Sequence, residues 1–143
     1  MKWFSQASQG RIYVCRFDYE ADLLESIKRF VEEKNIGAAF FIVIGAVKKA
    51  RLNYYNQEEK RYLEILVDKP LEIASCMGNI AKMDGKTIVH AHIVFSDKEG
   101  KTYGGHLASG TIIFAGEMVL VELKDIELRR KYDEVTGLNL FNL

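Results

Sequence analysis

Two spacings of apolar residues divide the chain. Leu23, Leu24, Ile27, Phe30 and Val31 recur at intervals of three and four, which gathers them on one face of a helix. Asp18 stands where a helix cap is expected, and Glu20 and Asp22 follow where the positive end of the helix dipole favours acids. Lys28, Arg29 and Lys34 fall late in the helix, and Asn35 with Gly37 ends it.

After this helix, and just before it, the pattern is that of strands. Residues 11–17 place Ile12, Val14 and Arg16 on one face and Tyr13, Cys15 and Phe17 on the other. Residues 38–47 and 50–55 read either as two strands or as one long strand bent at Gly45. Gln57, Glu58 and Glu59 form a polar turn, and residues 61–67 alternate. Pro70 marks the start of a strand over 71–82, with Gly78 as its expected bulge. Residues 83–86 make a hairpin turn into a strand over 87–95; the turn at 96–101 leads to strands at 102–108 and 111–123. Glu117, after Gly116, is expected at a bulge or turn, and residues 127–132 as a short helical turn. The sum is one α+β domain over 1–143: a mostly antiparallel β-sheet of about seven strands with one main helix near the N-terminus.

A chain of 143 residues is long enough to bury a core without disulfide or metal staples. The longest apolar run, 38–47, is ten residues and reads as a buried strand, since a membrane span needs ~20. The start, Met1-Lys2-Trp3-Phe4-Ser5-Gln6, lacks the apolar core and cleavage site of a signal peptide, so the expected compartment is the cytoplasm, with no membrane partner. There Cys15 and Cys76 are expected as buried thiols, and neither has the CxxC partner of a cysteine-rich zinc module. Twenty basic residues balance 20 acidic ones. A protein that coats a polyanion needs a basic excess, so direct nucleic-acid binding is not expected. The short clusters Lys48-Lys49-Ala50-Arg51 and Arg129-Arg130-Lys131 read as a solvated edge or helix end.

The histidines are unevenly placed. The chain has three, and all lie between positions 90 and 106. In the strand Thr87-Ile88-Val89-His90-Ala91-His92, side chains repeat every two residues, so His90 and His92 share a face roughly ~7 Å apart at the backbone. His106 returns on the next strand of the hairpin. With an odd number of loop residues, His92 and His106 lie directly opposite; with an even number, a bulge at Gly104-Gly105 is needed to bring His106 to the same face. Three imidazoles without a thiolate suit Zn²⁺ best, with Ni²⁺, Co²⁺, Cu²⁺ or Fe²⁺ as alternatives. Three protein ligands leave a fourth position open for water or a small anion.

Glu64 sits in an apolar strand, Tyr62-Leu63-Glu64-Ile65-Leu66. If buried, its carboxylate is a candidate to orient a histidine, to be a fourth ligand or to act as a general base; otherwise it is solvated or paired with Arg61 or Lys60. Glu72 has the same reading. No P-loop, G-x-G-x-x-G, G-x-S-x-G or H-E-x-x-H pattern occurs.

The run Arg61-Tyr62-Leu63-Glu64-Ile65-Leu66, then Gly78-Asn79-Ile80, His90-x-His92 and Gly104-Gly105-His106-Leu107, resembles the PPC domain (plant and prokaryote conserved). The resemblance continues through residues 118–123. It implies an α+β fold with a mostly antiparallel sheet, and a homotrimer. In plants the domain follows AT-hook segments in nuclear DNA-binding proteins, where it serves assembly and partner binding. This chain has no Arg-Gly-Arg-Pro AT-hook, its one proline being Pro70 after Lys69, and it keeps the histidines as prokaryotic members tend to. The resemblance supplies no reaction. The combined expectation is a cytoplasmic, homotrimeric, prokaryotic PPC-like protein of uncharacterised activity. His90, His92 and His106 would hold one zinc per subunit, with an open position for water or a small anionic ligand, and Glu64 is the one catalytic candidate. The alternative is a non-enzymatic trimeric assembly or DNA-associated regulatory module.

Overall fold

In a computed structural model that describes residues 3–143, the strands form one large sheet and a small one, with a single helix against the large sheet's inner face. Met1 and Lys2, the first two positions of the expected 1–143 domain, lie outside the described residues. Strand β1 (Ser8–Arg16) leads to helix α1 (Leu23–Glu33). The cap is Asp22, not Asp18: Asp22 Oδ1 accepts the Glu25 N–H at 3.1 Å, and Oδ2 accepts the Gly110 N–H and the Ser109 hydroxyl. One carboxylate thus satisfies an orphan helix donor and ties the helix to a distant turn. Asn35, at φ 54, ends the helix, and the Ile36 N–H reaches back to the Val31 carbonyl at 2.8 Å.

The large sheet contains β1, β2 (Ala39–Asn56), β3 (Arg61–Val67), β4 (Leu71–Met83), β5 (Lys86–Ser96), β6 (Thr102–Leu107) and β7 (Ile112–Lys124), all pairs antiparallel. The expected α+β architecture is present. Strand β2 is one 18-residue strand, bent at Gly45, whose φ of 137 suits glycine; a Cβ there would lie 2.2 Å from the Ala115 carbonyl oxygen. The first half of β2 pairs with β7 and β4, and the second half with β3 and β6. Because β4, β5 and β6 are also joined in sequence, the path from β2 returns to β2 and the sheet curls into a partial barrel.

Inside the curl lie Phe41, Val43, Leu52, Ile80, Ile93, Phe95 and Leu107, covered by Leu23, Ile27 and Val31 of the helix. The other face of the apolar run 38–47 is not buried: Phe40 and Ile42 are each 49% exposed and Ile44 59%. Alternation along β2 sends these three away from the core.

Other expectations need correction. Gly78 is in regular register with Phe41 and Ala91, and the irregularities of β4 fall instead beside Gly45 and between Ile73 and Ser75. Glu117 pairs regularly with Arg16 and Ile44, while β7 is irregular around Phe114. Residues 127–132 do not form a helical turn. Strand β8 (Arg130–Asp133) pairs with β9 (Leu138–Phe141) as a separate hairpin. Leu128 packs with Ala38 and Ala81, and its carbonyl accepts the Lys82 N–H at 2.8 Å, which docks the start of this hairpin onto β4. At the turn, Thr136 and Glu134 offer carbonyls to the Tyr55 hydroxyl (2.7 Å) and the Lys60 ammonium (3.0 Å). The hairpin is therefore fastened at both ends. No helix is long and apolar enough to cross a membrane among the described residues, and Cys15 and Cys76 are free thiols.

Candidate metal centre

The loop between β5 and β6 sets the geometry. Asp97 builds it: its Oδ1 accepts the Glu99 and Lys101 N–H groups at 3.1 and 2.9 Å, and its own N–H reaches the Lys101 carbonyl at 3.0 Å. Lys69 anchors its other oxygen at 2.5 Å and holds the carboxyl at about 2, well below the ordinary range. Ser96 pairs with Thr102, so the five residues between them make the odd-numbered loop. His92 then falls directly opposite His106 with no bulge. Gly104-Gly105 serves another purpose, since β6 runs tightly against β2 and a Cβ on Gly105 would sit 2.9 Å from the Asn53 carbonyl oxygen.

The three imidazoles converge. Ring centroids are 5.2 Å apart for His90 and His92, 4.9 Å for His90 and His106, and 5.7 Å for His92 and His106. One nitrogen from each ring lies within 4.8 Å of the others, close enough for all three to hold one metal ion. His90 and His106 are half-buried and His92 is exposed. Burial, reinforced by Arg130 and the neighbouring imidazoles, lowers His90 to about 4, and burial with His92 and Arg130 lowers His106. Both rings are neutral at pH 7, the form that donates a lone pair to a metal. This donor set fits a borderline metal such as zinc.

The rings lie at one side of a pocket of about 640 Å³. Tyr62 of β3 packs at 5.3 Å from His106 and 5.0 Å from Tyr55. The β8–β9 hairpin forms the opposite wall and brings in Arg130. Arg130 Nη2 donates to Asn79 Oδ1 at 2.7 Å and to His90 Nδ1 at 3.1 Å, and Nη1 donates to the Asn139 carbonyl at 2.8 Å. Its Nε is buried without a partner, a state that costs about 1–3 kcal/mol.

Glu64 is not brought into this group. It lies two strands beyond His106, with Asn53 of β2 between them, and pairs with Arg51 instead of Arg61 or Lys60. Glu72 lines a separate pocket with Lys48, Asp97 and Lys98. Arg130 belongs to the site although its run, Arg129-Arg130-Lys131, reads as a solvated cluster. The available signal was alternation: in a strand, Arg130 faces away from both charged neighbours.

The site also adjoins the exposed apolar face. Val14, Val119, Ile42, Met77, His92 and His106 are successive cross-strand partners, so they form one row on one side of the sheet.

Comparison with known proteins gives consistent matches. The Plants and Prokaryotes Conserved (PCC) domain matches residues 4–124. The fold superposes on a metal-containing protein from Archaeoglobus fulgidus with a TM-score of 0.92 and 40% identity, covering 99% of both chains. It superposes equally well on a plant- and prokaryote-conserved (PPC) protein from Pyrococcus horikoshii, with a TM-score of 0.92 and 34% identity over 99% of this chain and 97% of that one. Among curated sequences, the bifunctional protein GlmU of Synechococcus sp. (strain JA-3-3Ab) is 31% identical over 129 residues, 89% of this chain. The chain spans only about a fifth of the length of that relative, 20%.

Proposed function

The chain belongs to the Plants and Prokaryotes Conserved domain family, and on that premise we propose that it is a zinc-binding protein whose metal centre is His90, His92 and His106, with a fourth position left for water or a small anion. The observation that carries the reading is the convergence of three imidazole nitrogens within 4.8 Å on one face of a hairpin. The metal-containing relative at 40% identity supports it. A zinc ion held by three neutral imidazoles supplies a Lewis acid that polarises a bound oxygen and lowers the pKa of a coordinated water. Asn79 and Tyr62 are the neighbours that hold the surroundings of the rings in place. Glu64, engaged with Arg51, takes no part in this proposal.

A homotrimer belongs to the same reading. The exposed apolar row of Val14, Ile42 and Met77 is a surface that water disfavours, and a second copy covers it most simply. The row runs into His92, so the metal centre would sit beside the subunit boundary. A cytoplasmic location is supported by the two unpaired thiols. Little favours the DNA-associated alternative, because the chain is net neutral and Arg11, Arg51, Arg61 and Arg129 are each paired with a glutamate.

Elemental analysis of protein purified without a histidine tag tests the proposal. About one zinc per chain is expected, lost in His92→Ala while the circular dichroism spectrum is kept. Metal content far below one per chain in the wild type contradicts it.

A further inference from the structure

Arg130 is the cationic side chain on the wall of the histidine pocket, and no aspartate or glutamate lines that wall among the described residues. Burial lowers its pKa from the ordinary value, which marks a guanidinium partly withdrawn from water. Yet its hydrogen-bond partners, Asn79, Asn139 and His90, are all neutral, and its Nε has none. By contrast, Arg11 is paired with Glu122 and Lys69 with Asp97. A planar guanidinium in such a setting lacks the anion that its forked donors match best.

His90 adds a second constraint. Arginine can only donate, so His90 Nδ1 accepts from Arg130, and the neutral ring carries its proton on Nε2. A neutral imidazole has one lone pair and cannot serve Arg130 and a metal together. Metal occupancy at His90 therefore frees one N–H of Arg130 Nη2 inside the same pocket, the other staying on Asn79. The remaining walls are aromatic and apolar, with Tyr54, Tyr62, Ile88, Leu138 and Leu140, and the volume of about 640 Å³ suits a small organic molecule.

We propose that this pocket binds a small organic carboxylate with an aromatic or branched apolar body, the carboxylate held by Arg130 and the body lying against the tyrosine and leucine walls. The anion site rests on Arg130 and the walls; only its coupling to the metal rests on the zinc reading.

Isothermal titration with benzoate and its neutral analogue benzamide tests this, using the wild type, Arg130→Gln and Arg130→Lys, each with and without zinc. Benzoate is expected to bind the wild type at least about tenfold more tightly than benzamide, and Arg130→Gln to lose about that factor for benzoate alone. Arg130→Lys keeps the charge but not the fork, and is expected to fall between them. Zinc is expected to tighten benzoate binding in the wild type and to do so less in Arg130→Gln. If the wild type binds neither probe, or binds both alike, the proposal is overturned, whatever the variants do. The same holds if a folded Arg130→Gln binds benzoate as the wild type does. If zinc fails to bind while benzoate still discriminates through Arg130, the metal reading falls and the anion site stands.

Discussion

Met77 lies directly across the β4–β5 ladder from His92, on the outer face of the sheet. The apolar surface and the histidine cluster are therefore neighbours in one cross-strand row. Met77 is 60% exposed. If this face joins subunits, Met77→Lys places an ammonium in the contact, at a cost of several kcal/mol for an unpaired buried charge. Sedimentation velocity is expected to show a trimer for the wild type and a monomer for the variant. A trimer that survives Met77→Lys places the interface elsewhere.

The pairing of His92 with His106 depends on loop parity. Insertion of one glycine after Gly100 makes the loop even, which turns His106 to the other face of β6 unless the strand bulges. Zinc affinity is expected to fall by at least about tenfold, because a three-ligand site becomes a two-ligand one. Insertion of two glycines restores the parity and is expected to restore much of the binding. Equal affinity in all three proteins would show that parity does not govern the site.

Close packing of β6 on β2 gives a stability prediction. Gly105→Ala puts a methyl group 2.9 Å from the Asn53 carbonyl oxygen, so the backbones must separate. The expected loss is about 1–3 kcal/mol in urea unfolding, with weaker zinc binding because His106 follows Gly105. Gly85→Ala, where a Cβ meets nothing within 4 Å, is the comparison; at φ 76 it carries backbone strain but no collision.

Acid dependence follows from Glu122, which Arg11 holds at about 2, below its ordinary value of 4.5. A carboxyl with a depressed folded-state pKa stabilises fully above the unfolded value and loses that contribution as pH falls toward the folded value. The melting temperature of the wild type is expected to drop between pH 4.5 and about 2. Glu122→Gln is expected to melt lower at pH 7 and to show a shallower acid slope, the remainder including Asp97. Parallel slopes in the two proteins would show that Glu122 does not set the acid dependence.

The sequence made the histidine face legible because strand side chains repeat every two residues, and His90-x-His92 needs nothing else to share a side. It did not decide the register of His106. That rests on where Asp97 ends β5 by accepting two loop N–H groups, a choice made by side-chain hydrogen bonds that alternation does not encode. The helix face was readable, but its start was not. Asp18 is the cap that the sequence suggests, and the partner that selects Asp22 instead is the turn at Gly110, far away in sequence. In the run 38–47, apolar residues fill both faces, so period alone could not distinguish a strand buried on both sides from one that keeps Phe40, Ile42 and Ile44 outside. The β8–β9 hairpin was hidden for the opposite reason: charged residues flank Arg130, and the docking of Leu128 beside Lys82, with the turn held by Tyr55 and Lys60, brings it to the histidines.

Whether His90, His92 and His106 hold one metal ion is decided by anomalous diffraction from crystals of untagged protein, collected above and below the zinc absorption edge. One peak per chain is expected, present only above the edge, about 2.0–2.1 Å from a nitrogen of each of the three rings. No peak among the three rings in crystals grown with zinc, or a peak bound by other side chains, would contradict it.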